Sequence, residues 1–223
     1  MRFLDRDDAG RQLAAELEHI RGQRPVVVGL TRGGVPVGAQ VATALDAPLV
    51  ALSPRKVGHP LHPEYAIAAV CEDGPLVEGR EDLGSFDAAW LEAAVANERN
   101  EARRRREAYG GPRLEATVRG RPAIVVDDGL ATGVTMRAAL AAVQAAGATR
   151  TVVAVPVAPA ETVAVLEREA DEVVVAHLPE RFQGAIGYYY ERFGQVADDE
   201  VVRLLEEAQR AERARAKSAT SSS

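Results

Sequence analysis

The sequence predicts an α/β fold, a mostly parallel twisted sheet flanked by helices, on three observations. Short apolar runs alternate with stretches of helical periodicity, the pattern of βα units. Glycines close several of the helical stretches, as at Gly110-Gly111 and Gly147. One apolar run, Ala123–Val126, ends in two adjacent aspartates and a small-residue loop before the next helical stretch. In open α/β sheets ligands bind outside the carboxyl ends of the strands, where such a loop would lie. With 223 residues, 47% of them apolar and 27% charged, the chain suits one domain with a sizeable core.

The elements follow in order. Asp7 or Asp8 is placed to cap a first helix with Leu13, Leu17 and Ile20 on one face. PVVVGL (Pro25–Leu30) reads as a buried strand, followed by a helix with Val37, Val41 and Leu45 on one stripe. PLVAL (Pro48–Leu52) and AIAAV (Ala66–Val70) are the next strands. A long helix is expected from Ser85 to about Tyr109, ended by Gly110-Gly111-Pro112. After the strand Ala123–Val126, Met136, Leu140 and Val143 line a helix closed by Gly147. TVVAV (Thr151–Val155) and EVVVA (Glu172–Ala176) are the last strands, with a helix near Ala160–Arg168 between them. The expected organisation is one domain over 1–210, then a polar tail over 211–223, disordered beyond about Lys217.

Composition narrows the function classes. No apolar run approaches the roughly 20 residues needed to cross a bilayer, and MRFLDRDDAG lacks the pattern of a secretory signal. A single cysteine, Cys71, excludes an internal disulfide and a cysteine-rich zinc site, so the expected compartment is a reducing cytoplasm. A net charge of −6 disfavours bulk electrostatic binding of nucleic acid.

The stretch AIVVDDGLATGVTM (Ala123–Met136) carries the chemistry. Its glycines let backbone approach a ligand closely, Thr132 and Thr135 add hydroxyls, and a helix N-terminus favours an anion. No lysine follows the glycine, which excludes a Walker A loop. Carboxylates beside a phosphate cradle need other partners, and sugar hydroxyls or hydrated Mg²⁺ suit them. The physical reading is therefore a ribose 5-phosphate, set against an exposed acidic strand end with an ordinary helix cap.

VVDDGLATGVTM resembles the phosphoribosyl pyrophosphate (PRPP) signature of the type I phosphoribosyltransferase family. The resemblance implies that Asp127 and Asp128 hold the ribose 2- and 3-hydroxyls, with Mg²⁺ held indirectly through substrate or water. It implies that Ala131, Thr132, Gly133, Val134 and Thr135 wrap the 5-phosphate. It further implies that a loop at Thr31-Arg32-Gly33 grips pyrophosphate, with a non-proline cis peptide at Thr31–Arg32. Arg55 and Lys56, just past a strand end, would neutralise the leaving pyrophosphate. Arg32 and Lys56 thus join the two aspartates as candidate catalytic residues. RKVGHPLHPE (Arg55–Glu64) is similar to an uncharacterised bacterial branch of the family. The implied reaction moves ribose 5-phosphate from PRPP to a nitrogenous acceptor, such as a nucleobase, in a cytoplasmic homo-oligomer, a dimer.

Other features are less specific. Five of the ten aromatics lie between Phe182 and Phe193, either a stacking platform for a base or a small satellite core. The family's variable hood would occupy 178–195, with Phe182 and Tyr190 as acceptor-base candidates. Hypoxanthine–guanine enzymes carry an aspartate where this chain has Ala131, so a 6-oxopurine acceptor is disfavoured and Glu64 is the candidate proton-handling group. His59 and His62 read as surface loop residues rather than metal ligands. Arg103–Arg106 reads as a solvated helix face, with Glu101–Arg105 and Arg103–Glu107 ion pairs. Two alternatives accompany the transferase: a PRPP-binding transcription or RNA regulator, and a hydrolase of PRPP or a nucleoside phosphate.

Overall fold

Five parallel strands form the centre of a computed structural model that describes residues 2–79 and 82–220. They are β1 (Val26–Leu30), β2 (Leu49–Leu52), β6 (Pro122–Val126), β7 (Arg150–Val157) and β8 (Glu172–His177), lying side by side in the order β2-β1-β6-β7-β8. Both faces are covered, so the strands are continuous apolar runs rather than alternating ones. The pleat divides them: Ala123 and Val125 of β6 face one core, Ile124 and Val126 the other. The first core is completed by α5 (Val134–Ala145) and α6 (Ala160–Leu166), the second by α1 (Arg6–Glu16), α2 (Gly34–Leu45) and α7 (Asp198–Thr220). The predicted α/β class with a parallel, helix-flanked sheet is the class observed.

A second sheet was not legible in the sequence. Ala66–Val70 is not a strand of the main sheet. As β4 it pairs antiparallel with β3 (Arg55–Gly58) and β5 (Val77–Glu78). SPRKVGHPLHPEY thus contains a strand, because its prolines flank Arg55–Gly58 rather than interrupt it. Val57, Ile67, Ala68 and Val70 pack there beneath Phe86, Trp90, Leu91 and Val95. The last three belong to α3 (Ala88–Ala108), and α4 (Leu114–Val118) precedes β6.

Other boundaries shift for local reasons. Asp5, not Asp7 or Asp8, caps α1 by accepting from the Asp8 N–H, and Ile20 lies in a following 3₁₀ segment. The long helix starts at Ala88, where the Asp87 carboxylate accepts from Trp90 N at 2.8 Å, and Ser85 closes a 3₁₀ turn. The stretch expected to be a tail from residue 211 prolongs α7 to Thr220, because its alanines, glutamates and arginines are strong helix formers. Residues 221–223 lie outside the described ones. Among the described residues no helix is long and apolar enough to cross a membrane.

Residues 178–195 close one corner. Phe3 N donates to Tyr189 O and Glu191 N to Phe3 O, at 2.8 and 2.9 Å. Phe3, Ala9, Val157, Tyr189 and Tyr190 form a small core of their own there.

Ile124 is fully buried at the centre of the sheet. Ile124→Ala should cost about 2–5 kcal/mol of stability, read as a lower urea midpoint at unchanged slope.

Candidate active site

Because β1, β2 and β6 run parallel, their carboxyl ends deliver three loops to one edge. The β6 loop begins with Asp127-Asp128 and the β1 loop is Thr31-Arg32-Gly33-Gly34. The two touch. A Cβ on Gly33 would lie 2.0 Å from Asp128 Oδ2, and one on Gly34 would lie 2.4 Å from Val126 O and 2.8 Å from Asp127 Cα. Real Cβ atoms do not approach so closely, so only glycine fits at either position. The Thr31–Arg32 peptide is cis, as the resemblance implied. Thr31 is tied to the end of β2, its N–H donating to Leu52 O and its hydroxyl 2.8 Å from Ser53 Oγ.

Residues 131–135 open α5. Gly133 sits at the N-cap with φ of 75°, and its missing side chain leaves room for Thr162. The Thr162 hydroxyl donates to Ala131 O at 2.7 Å, fixing the loop from α6. The first N–H groups of α5 have no acceptor within the helix and favour an anion at this end.

The two carboxylates share a poorly solvated site. Asp127 Oδ1 accepts the Asp128 N–H at 2.9 Å. Desolvation, reinforced by the neighbouring Asp128 charge, pushes the Asp127 carboxyl well above the usual range, with Arg6 and Lys56 acting against it. Asp128 is also raised by desolvation, but the Arg6 guanidinium opposes the shift. Arg6 Nε donates to Asp128 Oδ2 at 2.8 Å, and Tyr190 Oη donates to Asp128 O at 2.6 Å.

The structure brings Lys56, Glu64, Thr132 and Val134 together around a cavity of about 450 Å³, with Tyr65 and Thr162. Arg55 is not among them. Consecutive strand residues point to opposite faces, and Arg55 Nε pairs with Glu98 on α3 at 2.8 Å. Arg32 stays at the edge, its guanidinium 3.7 Å from Asp198, which also accepts from Tyr109 Oη at 2.7 Å. Of the two acceptor candidates, Tyr190 is buried against Phe3 and Phe193, and Phe182 stacks on Tyr189 at 5.4 Å. Both take part in the small aromatic core of this corner. Among the described residues no group of three or more His, Cys, Asp or Glu could hold a metal ion.

The basic run of α3 is paired with carboxylates. Glu72 pairs with Arg103 and Arg106, and Glu101 with Arg104 and Arg105. Glu107 pairs with Arg106 rather than the expected Arg103. The Cys71 thiol is buried and pushed up to about 12 by desolvation, which makes it a poor nucleophile.

The family described as "Phosphoribosyl transferase domain" matches residues 5–190. The chain belongs to that family. This phosphoribosyltransferase domain is 44% identical over 210 residues to "Putative phosphoribosyl transferase Rv0571c" of Mycobacterium tuberculosis (strain ATCC 25618 / H37Rv). That match covers 93% of this chain and 47% of the relative, so the chain spans about half the length of the curated relatives it matches. Among solved structures it is similar to TT1426 from Thermus thermophilus, with 45% identity and a TM-score of 0.80, covering 93% of this chain and 99% of that one.

Sequence reasoning missed Arg6, Tyr109 and Asp198 in this domain. Arg6 and Asp198 open helices, so their side chains read as ordinary end charges until the fold brings them to the loops.

The raised Asp127 carboxyl has a stability consequence. Between its unfolded value and its higher folded value the native state binds more protons than the unfolded chain, so stability falls as pH rises through that window. Asp127→Asn should therefore raise the melting temperature at pH 7.5, with a gain that shrinks toward pH 4 in paired thermal melts.

Proposed function

We propose that this domain transfers ribose 5-phosphate from PRPP to a nitrogenous acceptor, a nucleobase or related heterocycle, and releases pyrophosphate. The observation that carries the reading is the contact of the acidic pair with the Gly33-Gly34 loop, beside the glycine-bounded opening of α5. Three needs of the substrate then meet at one sheet edge. The amides and hydroxyls of 131–135 receive the 5-phosphate, Asp127 and Asp128 receive the ribose hydroxyls, and Thr31, Arg32 and Gly33 receive the pyrophosphate.

The residues suit a Mg²⁺ ion that arrives with the substrate. Asp128 is engaged by Arg6 and Asp127 by a main-chain N–H, so the pair would meet the ion through substrate or water. Bound there, Mg²⁺ supplies charge neutralisation to the leaving pyrophosphate. The chain's own part is to hold the sugar and leaving group in place as positive charge develops at C1. Lys56, on the hairpin over the cavity, adds a cation, and Glu64 is the proton-handling candidate for the acceptor. The pairing of Arg103–Arg106 with Glu72 and Glu101 supports the transferase over a nucleic-acid regulator.

A panel of nucleobases and related heterocycles, incubated with PRPP and Mg²⁺, should show acceptor-dependent pyrophosphate release. Release without acceptor would instead support hydrolysis, and tight PRPP binding with no release would support sensing. With the active acceptor, Lys56→Ala and Glu64→Gln should each lower kcat by about 10²-fold or more. Undiminished turnover of Glu64→Gln would reject the proton-handling role.

A further inference from the structure

Arg6 is more tightly placed than a charge at a helix start needs to be. Its side chain is 14% exposed and that of Asp128 12%, with Nε donating to Asp128 Oδ2 at 2.8 Å. Nη1 donates to Gly194 O at 2.8 Å, and the guanidinium carbon lies 4.0 Å from the centroid of the Phe193 ring. The Phe193 ring stacks on Tyr190 at 4.8 Å, and Tyr190 Oη donates to the main-chain oxygen of Asp128. The far end of the clamp is covered too, because the segment holding Arg6 is laddered to residues 189–192. Arg192 N donates to Leu4 O, and the Arg192 guanidinium pairs with Asp5, the cap of α1.

The consequence lies at the carboxylate. Oδ2 of Asp128 meets Arg6 on one side and the space above Gly33 on the other. The oxygen left for a sugar is Oδ1, which accepts no hydrogen bond from another residue among the described ones. A carboxylate has lone pairs enough for both partners. A guanidinium on one oxygen fixes its rotamer and leaves the other aimed.

Resting on the transferase reading, we propose that Arg6 is a positioning residue for the ribose subsite. It locks Asp128 through Oδ2 so that Oδ1 is presented to a ribose hydroxyl, and it joins that presentation to the aromatic corner of Tyr190 and Phe193. Arg6 acts through Asp128 and does not contact the reacting atoms.

The test is calorimetric titration of PRPP with Mg²⁺ into wild-type protein, Arg6→Ala, Arg6→Lys, Asp128→Asn and the Arg6→Ala/Asp128→Asn double variant, with a thermal melt of each. Arg6→Ala should weaken PRPP binding about tenfold or more, and Arg6→Lys should recover part of it, because an ammonium can still pair with Oδ2 but lacks the stacked guanidinium plane. In the Asp128→Asn background Arg6→Ala should cause much less further loss, the signature of coupling between the two residues. With the identified acceptor, the single variant should raise KM for PRPP more than it lowers kcat. Wild-type affinity in Arg6→Ala, or equal losses in both backgrounds, would overturn the assignment while leaving the transferase reading intact. Loss of binding that only follows a collapsed melt, with no recovery in Arg6→Lys, would also overturn it. Absence of PRPP binding by the wild type would instead overturn the transferase reading, and the role of Arg6 with it.

Discussion

Two adjacent carboxylates held largely out of water at the end of a buried strand are the constraint around which this molecule is arranged. Ionised acids in such a place are costly unless other groups compensate. Compensation comes from three directions: Arg6 from α1, Lys56 from the small sheet and the main-chain N–H of Asp128. The Gly33-Gly34 turn then packs against the pair so closely that a side chain at either position would strike it. Site and fold are therefore one structure, because the contacts that hold the acids also join β1 to β6 and the N-terminal segment to residues 189–192.

The small antiparallel sheet follows a different logic. One of its faces packs on the first core through Ala66, Ala69 and Val77. It is a platform under α3 that carries Lys56, Glu64 and Tyr65 over the edge where the main-sheet loops end. Its hairpin alternation sends Lys56 toward that edge and Arg55 toward Glu98. Of the α3 arginines, Arg103 and Arg106 reach Glu72, while Arg104 and Arg105 pair with Glu101 on the same helix. Glu72, buried beside the small sheet, is stabilised in its ionised form by Arg106 and Arg103 against the desolvation that would otherwise neutralise it.

The C-terminal helix extends the site beyond the stretch matched by the family. Asp198, its first residue, receives the Tyr109 hydroxyl and lies by Arg32. Desolvation and the Asp198 carboxylate together push the Tyr109 phenol up to about 12, so it stays a hydrogen-bond donor at neutral pH. One end of α7 thus borders the loop proposed for pyrophosphate, while Val201 and Leu205 of the same helix pack into the sheet's core.

Local sequence was enough for what depends on neighbours along the chain. Apolar runs marked the five main strands, helical stripes marked α2 and α5, and the acidic doublet with its glycine–threonine loop marked the candidate site, because strand, turn and helix propensities act over a few residues. Only the tertiary structure decided what depends on distant partners. Ala66–Val70 reads the same in either sheet, since a short apolar strand does not encode its pairing partner. Arg55 and Lys56 are equivalent on paper and are separated by the pleat of a strand the prolines disguised. Tyr190 packs against Phe3 and Phe193, and Phe182 against Tyr189, contacts that no spacing along the chain reports. Arg6 stands 122 positions from Asp128 in the chain. No local propensity or spacing reports a contact between residues so far apart, and folding alone supplies it.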